Sequence, residues 1–230
     1  MEIEKREISE ETLRKILSQI IDKVSINNMT KKFITKKNTI DNFMYVNHYD
    51  IDKSIEHLIK SIEWRSDNIT VIDNLDDYCK EHNIMDNIAV LSKLNKNYVL
   101  YCNLQSDLSI EKIFNYLFSI IEHILINTDC EQYILIFDCQ GIGLEYSFYL
   151  PSILNQIKLL KEHFPERLKN LLLYNTSQII SKIYDGIKII LDNRIQKKVV
   201  FIKNSAEIAN YCSQTVLDII LNNKKQNITI

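Results

Sequence analysis

Between residues 130 and 202 the chain alternates short apolar runs with longer helix-patterned stretches. That order constrains the fold more than any other feature. Tyr133-Ile134-Leu135-Ile136-Phe137 carries no charge and stops at Asp138-Cys139-Gln140-Gly141-Ile142-Gly143. A helix-patterned stretch follows, then Phe164-Pro165-Glu166-Arg167-Leu168-Lys169-Asn170. A second apolar run, Leu171-Leu172-Leu173-Tyr174-Asn175, comes next. Strand, helix, strand predicts a parallel pair, because a parallel partner needs a long crossover. Near-continuous apolar strands predict burial on both faces of the sheet.

The pattern extends in both directions. Tyr98 to Leu104 predicts a strand. Residues 108–127 are apolar almost all round, through Leu108, Ile113, Phe114, Leu117, Phe118, Ile121, Ile124 and Leu125. A helix of that kind belongs in the core. The reading then runs strand 132–137, helix 145–163, strand 170–175, helix 178–191, strand 198–202 and helix 205–221. Strands alternating with helices of this length predict an α/β fold with a mixed, mostly parallel sheet. The first 80 residues read instead as a small helical bundle. Ser9 caps one helix, with Leu13, Ile16, Leu17, Ile20 and Ile21 as its stripe; Asp50 caps another, with Ile51, Ile55, Leu58, Ile59 and Ile62. The expected division is a helical region, 1–80, and a sheet-bearing region, 81–230.

Composition excludes several classes of function. With only 3 Gly and 2 Pro in 230 residues there is little room for linkers or for a phosphate-cradling loop. Gly141-Ile142-Gly143 lacks the third glycine of a dinucleotide loop, and neither a Walker loop nor a Gly-x-Ser-x-Gly elbow occurs. The histidines at 48, 57, 82, 123 and 163 are isolated, and Asp138 has no partner base. No enzyme and no cofactor are expected. A net charge of -2 with dispersed Lys and Arg gives no nucleic-acid footprint. The five cysteines have no paired spacing, which fits a reducing compartment. Cys79-x-x-His82 is half of a zinc motif without a second half, so no metal is expected. The start, Met1-Glu-Ile-Glu-Lys-Arg6, is not a signal segment, and no apolar run reaches about 18 residues. A cytoplasmic protein, at most peripheral to membranes, is expected.

Helix 178–191 stands apart. Ile179, Ile180, Ile183, Tyr184, Ile187, Ile190 and Leu191 make a wide apolar stripe opposite Lys182, Asp185 and Lys188. By pattern it is either an amphipathic cover helix or a mobile lid whose apolar face touches a ligand.

Several segments, in order and at matching spacing, resemble the CRAL-TRIO lipid-binding family, the fold of phosphatidylinositol, tocopherol and retinaldehyde carriers. They are Tyr49-Asp50 leading to Trp64-Arg65, Asp138-Cys139-Gln140-Gly141, Phe164-Pro165-Glu166-Arg167-Leu168, and Leu173-Tyr174-Asn175. The similarity covers about residues 35–205. It implies a mixed sheet flooring an apolar pocket, closed by a gate helix at 178–191. By the same resemblance the pocket is lined by Leu100 and Cys102, by Tyr133, Leu135 and Phe137, by Leu171 and Leu173, and by Ile180, Tyr184 and Ile187. Lipid-headgroup positions fall on Glu166, Lys198 and Asn47.

The chain also departs from that family. Its cluster arginine becomes Asn47 and its threonine Ile195, which removes a bidentate phosphate grip and a hydroxyl donor. The residues that hold a phosphocholine head fall on Tyr133 and Leu135. Asn95-Lys96-Asn97 replaces a Gly-Arg-Pro turn, Asn175-Thr176-Ser177 replaces Asn-Ala-Pro, and the chain ends without the family's usual close. The implied function is to bind one lipid, a phospholipid or phosphoinositide, and exchange it with membranes. The alternatives are a carrier of a sterol, tocopherol or retinoid, and a scaffold module binding a protein partner such as a small GTPase.

Overall fold

The computed structural model describes residues 8–25, 27–36, 38–84, 87–94, 97–103, 109–143, 148–189 and 191–221. The N-terminal part folds as α1 (Glu10–Ile21), α2 (Asn28–Thr35), α3 (Thr39–Val46), α4 (Ile51–Asn68) and α5 (Leu75–Glu81). Side-chain caps set most of their starts. Ser9, Asn27, Asp50 and Asn74 each accept a backbone N–H from three residues on, satisfying a donor the first turn leaves open. Ile16 and Ile20 close on Phe33, Phe43, Ile55, Leu58 and Ile62 to form a small separate core. Ile21, expected in that stripe, is instead 55% exposed. Helix α4 runs about one turn past Trp64-Arg65.

The sheet contains β1 (Ile88–Leu94), β2 (Asn97–Asn103), β3 (Gln132–Asp138), β4 (Leu168–Tyr174) and β5 (Val199–Phe201), paired in that order. The first pair is antiparallel and the other three are parallel. Strand β1 was not anticipated. Leu104 and Leu108, assigned to the flanking strand and helix, lie outside the described residues, as do residues 95 and 96 of the replaced turn. The parallel links run through α6 (Ile110–Asn127), α7 (Leu150–His163), and α8 (Gln178–Lys188) with α9 (Asn193–Lys198). Right-handed crossovers between sequential strands place these helices on one face of the sheet. The other face is covered by a 3₁₀ turn, Ser205–Asn210, and by α10 (Gln214–Leu221), where Ile208, Val216 and Leu217 pack with Val99, Ile134, Ile136 and Leu172. The single helix expected at 205–221 is therefore two pieces. It restarts at Ser213, whose carbonyl accepts from the amides of Val216 and Leu217.

Helix α6 is the central post. Ile113, Phe114, Leu117, Phe118, Ile121 and Ile124 are all buried. Strand β3 ends at Asp138, whose carboxylate accepts from Tyr101 Oη at 2.5 Å, Asn175 Nδ2 at 2.8 Å and the Gln140 amide at 2.9 Å. It caps the turn and ties three strand ends together, a structural use of the carboxylate. Among the described residues no helix is long and apolar enough to cross a membrane.

Candidate functional site

Alternation by two turns Tyr133, Leu135 and Phe137 to the helix-bearing face of β3. Register places Leu135 beside Leu171 and Phe137 beside Leu173 of β4. These side chains floor a cavity of about 770 Å³, within the range of ligand pockets. Its walls come from Ile153, Ile157 and Leu160 of α7 and from Ile180, Ile183, Tyr184 and Ile187 of α8. Phe114 of α6 and Phe164 close the back. The floor is apolar, and Tyr133, Leu135 and Phe137 are themselves buried. Burial raises the Tyr133 phenol well above its ordinary pKa, so it stays neutral.

Helix α8 covers the cavity with its apolar stripe and turns Lys182, Asp185 and Lys188 outward, exposed or partly so. Ser177 caps its start. It ends at Lys188, three residues earlier than expected, and Ile190 lies outside the described residues. Asp192 ends the stripe early, because its side chain accepts from the Ile195 amide at 3.0 Å and begins α9. Leu191 lies past the helix end and still lines the cavity.

Of the residues expected to line the pocket, Tyr133, Leu135, Phe137, Leu171, Leu173, Ile180, Tyr184 and Ile187 meet at this one cavity. Leu100 and Cys102 do not. Both have no exposed surface and sit in the core cluster with Ile113, Leu117 and Phe118. The reason is positional: β2 is one strand further from β4, and the post α6 fills the space above it.

The mouth is polar. Glu166, Lys198 and Asn47, expected at the headgroup, all reach it. Lys198 Nζ donates to Glu166 Oε2 at 3.0 Å, each side chain 18% exposed. Lys198 is the last residue of α9, not the first of a strand. Glu166 has a left-handed backbone (φ 57°), uncommon for a residue with a side chain. Asn47 is otherwise engaged: its amide donates to the Phe43 carbonyl at 2.8 Å and contacts His57 Nδ1 at 3.0 Å. His57 Nε2 lies 2.8 Å from the Glu162 carbonyl. A carbonyl only accepts, so Nε2 carries the proton and Nδ1 accepts from Asn47.

Three residues of the mouth went unanticipated. Arg194 Nη1 lies 3.7 Å from Glu166, and its guanidinium sits 5.4 Å over the Tyr45 ring. Asp192 accepts from Lys161 at 3.0 Å. Glu162 pairs with Lys60 across the junction of α7 and α4. Burial pulls the carboxyls of Glu162 and Asp192 upward. The hydrogen bond from Lys60 outweighs it at Glu162, and the Ile195 amide and Lys161 at Asp192, so both are held below the carboxylate range. The legible signal was Asp192 standing three residues before Ile195, the spacing of a helix cap.

Among the described residues no cluster of His, Cys, Asp and Glu is placed to hold a metal ion. His82 of the half-motif instead bonds the Tyr78 carbonyl at 2.9 Å.

A five-stranded sheet, an apolar cavity beneath an amphipathic helix and a charged rim define a fold built around an internal binding pocket. The family model described as CRAL/TRIO domain matches residues 96–221, more than half of the chain, and the chain belongs to that family. The structure titled "Crystal structure of Sfh5" is similar in fold, with a TM-score of 0.64 over 90% of this chain and 85% of that chain at 14% identity. No curated protein sequence matches. Membership of the family supports lipid binding or transfer in general.

Proposed function

We propose that this protein binds a single lipid, tails in the 770 Å³ cavity and headgroup at the rim, and exchanges it with membranes. In this reading residues 1–80 wall one side of the mouth and residues 81–230 hold the ligand. Helix α8 is the gate. The observation that carries the proposal is the apolar floor of β3 and β4 roofed by an amphipathic helix. Each methylene moved from water into such a cavity gains about 0.8 kcal/mol, enough over a tail to offset the loss of a bilayer environment. The charged rim suits a phosphoinositide-type headgroup better than a sterol or retinoid. The setting is cytoplasmic, with transient contact to a membrane surface.

The test is loading. Protein purified from cells is expected to carry lipid in native mass spectrometry, or to take it from vesicles. Leu173→Trp and Leu135→Trp fill the floor and are expected to abolish uptake while circular dichroism stays unchanged. Normal loading in both variants would remove the cavity from consideration.

A further inference from the structure

Among the described residues three arginines are wholly or largely buried, and two have their donors occupied. Arg65 bonds Glu122 Oε1 at 3.0 Å, Ser61 Oγ at 2.6 Å and the His163 carbonyl at 2.8 Å. Arg167 bonds the Glu131 carbonyl at 3.0 Å and Thr39 Oγ1 at 2.8 Å. Arg194 is different. A guanidinium has five N–H donors, yet Arg194 makes no hydrogen bond among the described residues. Its neighbours are Glu166 at 3.7 Å, Asp192 at 4.0 Å and the Tyr45 ring. Those separations exceed the about 2.7–2.9 Å of a charge-assisted hydrogen bond. The side chain is 30% exposed at the mouth of the cavity.

Its surroundings favour an anion. Lys198 reaches the other oxygen of the same Glu166, so two cations from α9 flank one carboxylate. Around the whole mouth Lys53, Lys60, Lys158, Lys161, Arg194 and Lys198 outnumber Glu56, Glu162, Glu166 and Asp192, although the chain as a whole is at -2. The face of Tyr45 steadies the guanidinium.

We propose that Arg194, beside the headgroup position Lys198 already expected, completes the seat for the phosphate of the bound lipid. The fork of Arg194 takes two phosphate oxygens. The ammonium, with one of its three donors on Glu166, takes a third. This restores, from α9, the bidentate grip that Asn47 cannot supply from the helical bundle. The inference rests on the lipid reading above and narrows it to phosphate-bearing lipids.

The experiment compares loading from vesicles containing phosphatidylinositol with loading from vesicles containing diacylglycerol, which has the same tails and no phosphate. Arg194→Gln is expected to lose phosphatidylinositol loading by roughly tenfold or more, with diacylglycerol loading unchanged. Arg194→Lys is expected to fall between, keeping charge without the fork. Arg194→Gln loading both lipids normally, or losing both equally, overturns the seat. So does wild-type protein that takes diacylglycerol and refuses phosphatidylinositol, which leaves the lipid reading standing. Wild type that takes neither removes that reading and this one with it. Calorimetry with inorganic phosphate separates the two sources of the anion. No heat is expected, and tight binding of free phosphate overturns the lipid assignment.

Discussion

Arg65 shows how one residue can fasten two cores. It is 2% exposed, with its guanidinium 3.8 Å from the centre of the Phe33 ring and 4.8 Å from that of Phe164. Its partner Glu122 belongs to α6 and is equally buried. Removing one member of a buried pair leaves the other charge without compensation, at a cost of about 3–5 kcal/mol. Arg65→Met is expected to lower the unfolding free energy by that amount in urea titrations, and Arg65→Met with Glu122→Gln to regain part of it. A single-variant loss below about 1 kcal/mol would refute the fastening role. Trp64-Arg65 was legible in the sequence as a family mark. The ion pair was not, because a partner 57 residues away has no period that a pattern can register. Arg194 escaped notice for a related reason. Its partners Glu166 and Tyr45 lie far off in the chain, beyond the reach of a local pattern.

Elements with one clean period were read well, and short ones were not. The stripe of α8 is unambiguous, and so are β3 and β4. Strand β1 was not legible although Ile88 and Val90 alternate, because the alternation breaks at the bulge between Val90 and Ser92. Helix α9 has six residues and too little length to display a stripe. Within α8, Gly186 is exposed, and a Cβ placed there meets nothing within 4 Å. A helical glycine costs roughly 1 kcal/mol against alanine. Gly186→Ala is therefore expected to raise Tm by about 2–4 °C. An unchanged or lower midpoint in a thermal scan would mean that the helix is not limited by its own propensity. A fall in exchange rate at unchanged loading in the same variant would mark Gly186 as a point where α8 bends.

At the scale of the whole molecule, the junction between bundle and sheet makes stability depend on acidity. His163 is 2% exposed. Burial first, and then the Arg65 charge, push its pKa down to about 3, against about 6.5 in an unfolded chain. Between those values the unfolded chain holds a proton that the folded chain refuses, so stability falls as pH drops through that window. The lowered carboxyls of Glu162 and Asp192 act in the same direction, but only below about pH 4.5. Unfolding free energies from urea titrations at pH 7 and pH 5 are expected to differ in wild type by about 2 kcal/mol more than in His163→Gln. Equal losses would place the sensitivity elsewhere. The same junction holds the only tryptophan of the chain. Its indole lies flat on His163 at 4.1 Å and edge-on to Phe118 and Phe164, outside the lining of the cavity. Tryptophan emission from this protein thus has a single source, and that source watches the seam between bundle and sheet. Ligand entry and parting of the halves can be followed as separate optical signals, with a fluorescent lipid reporting one and Trp64 the other.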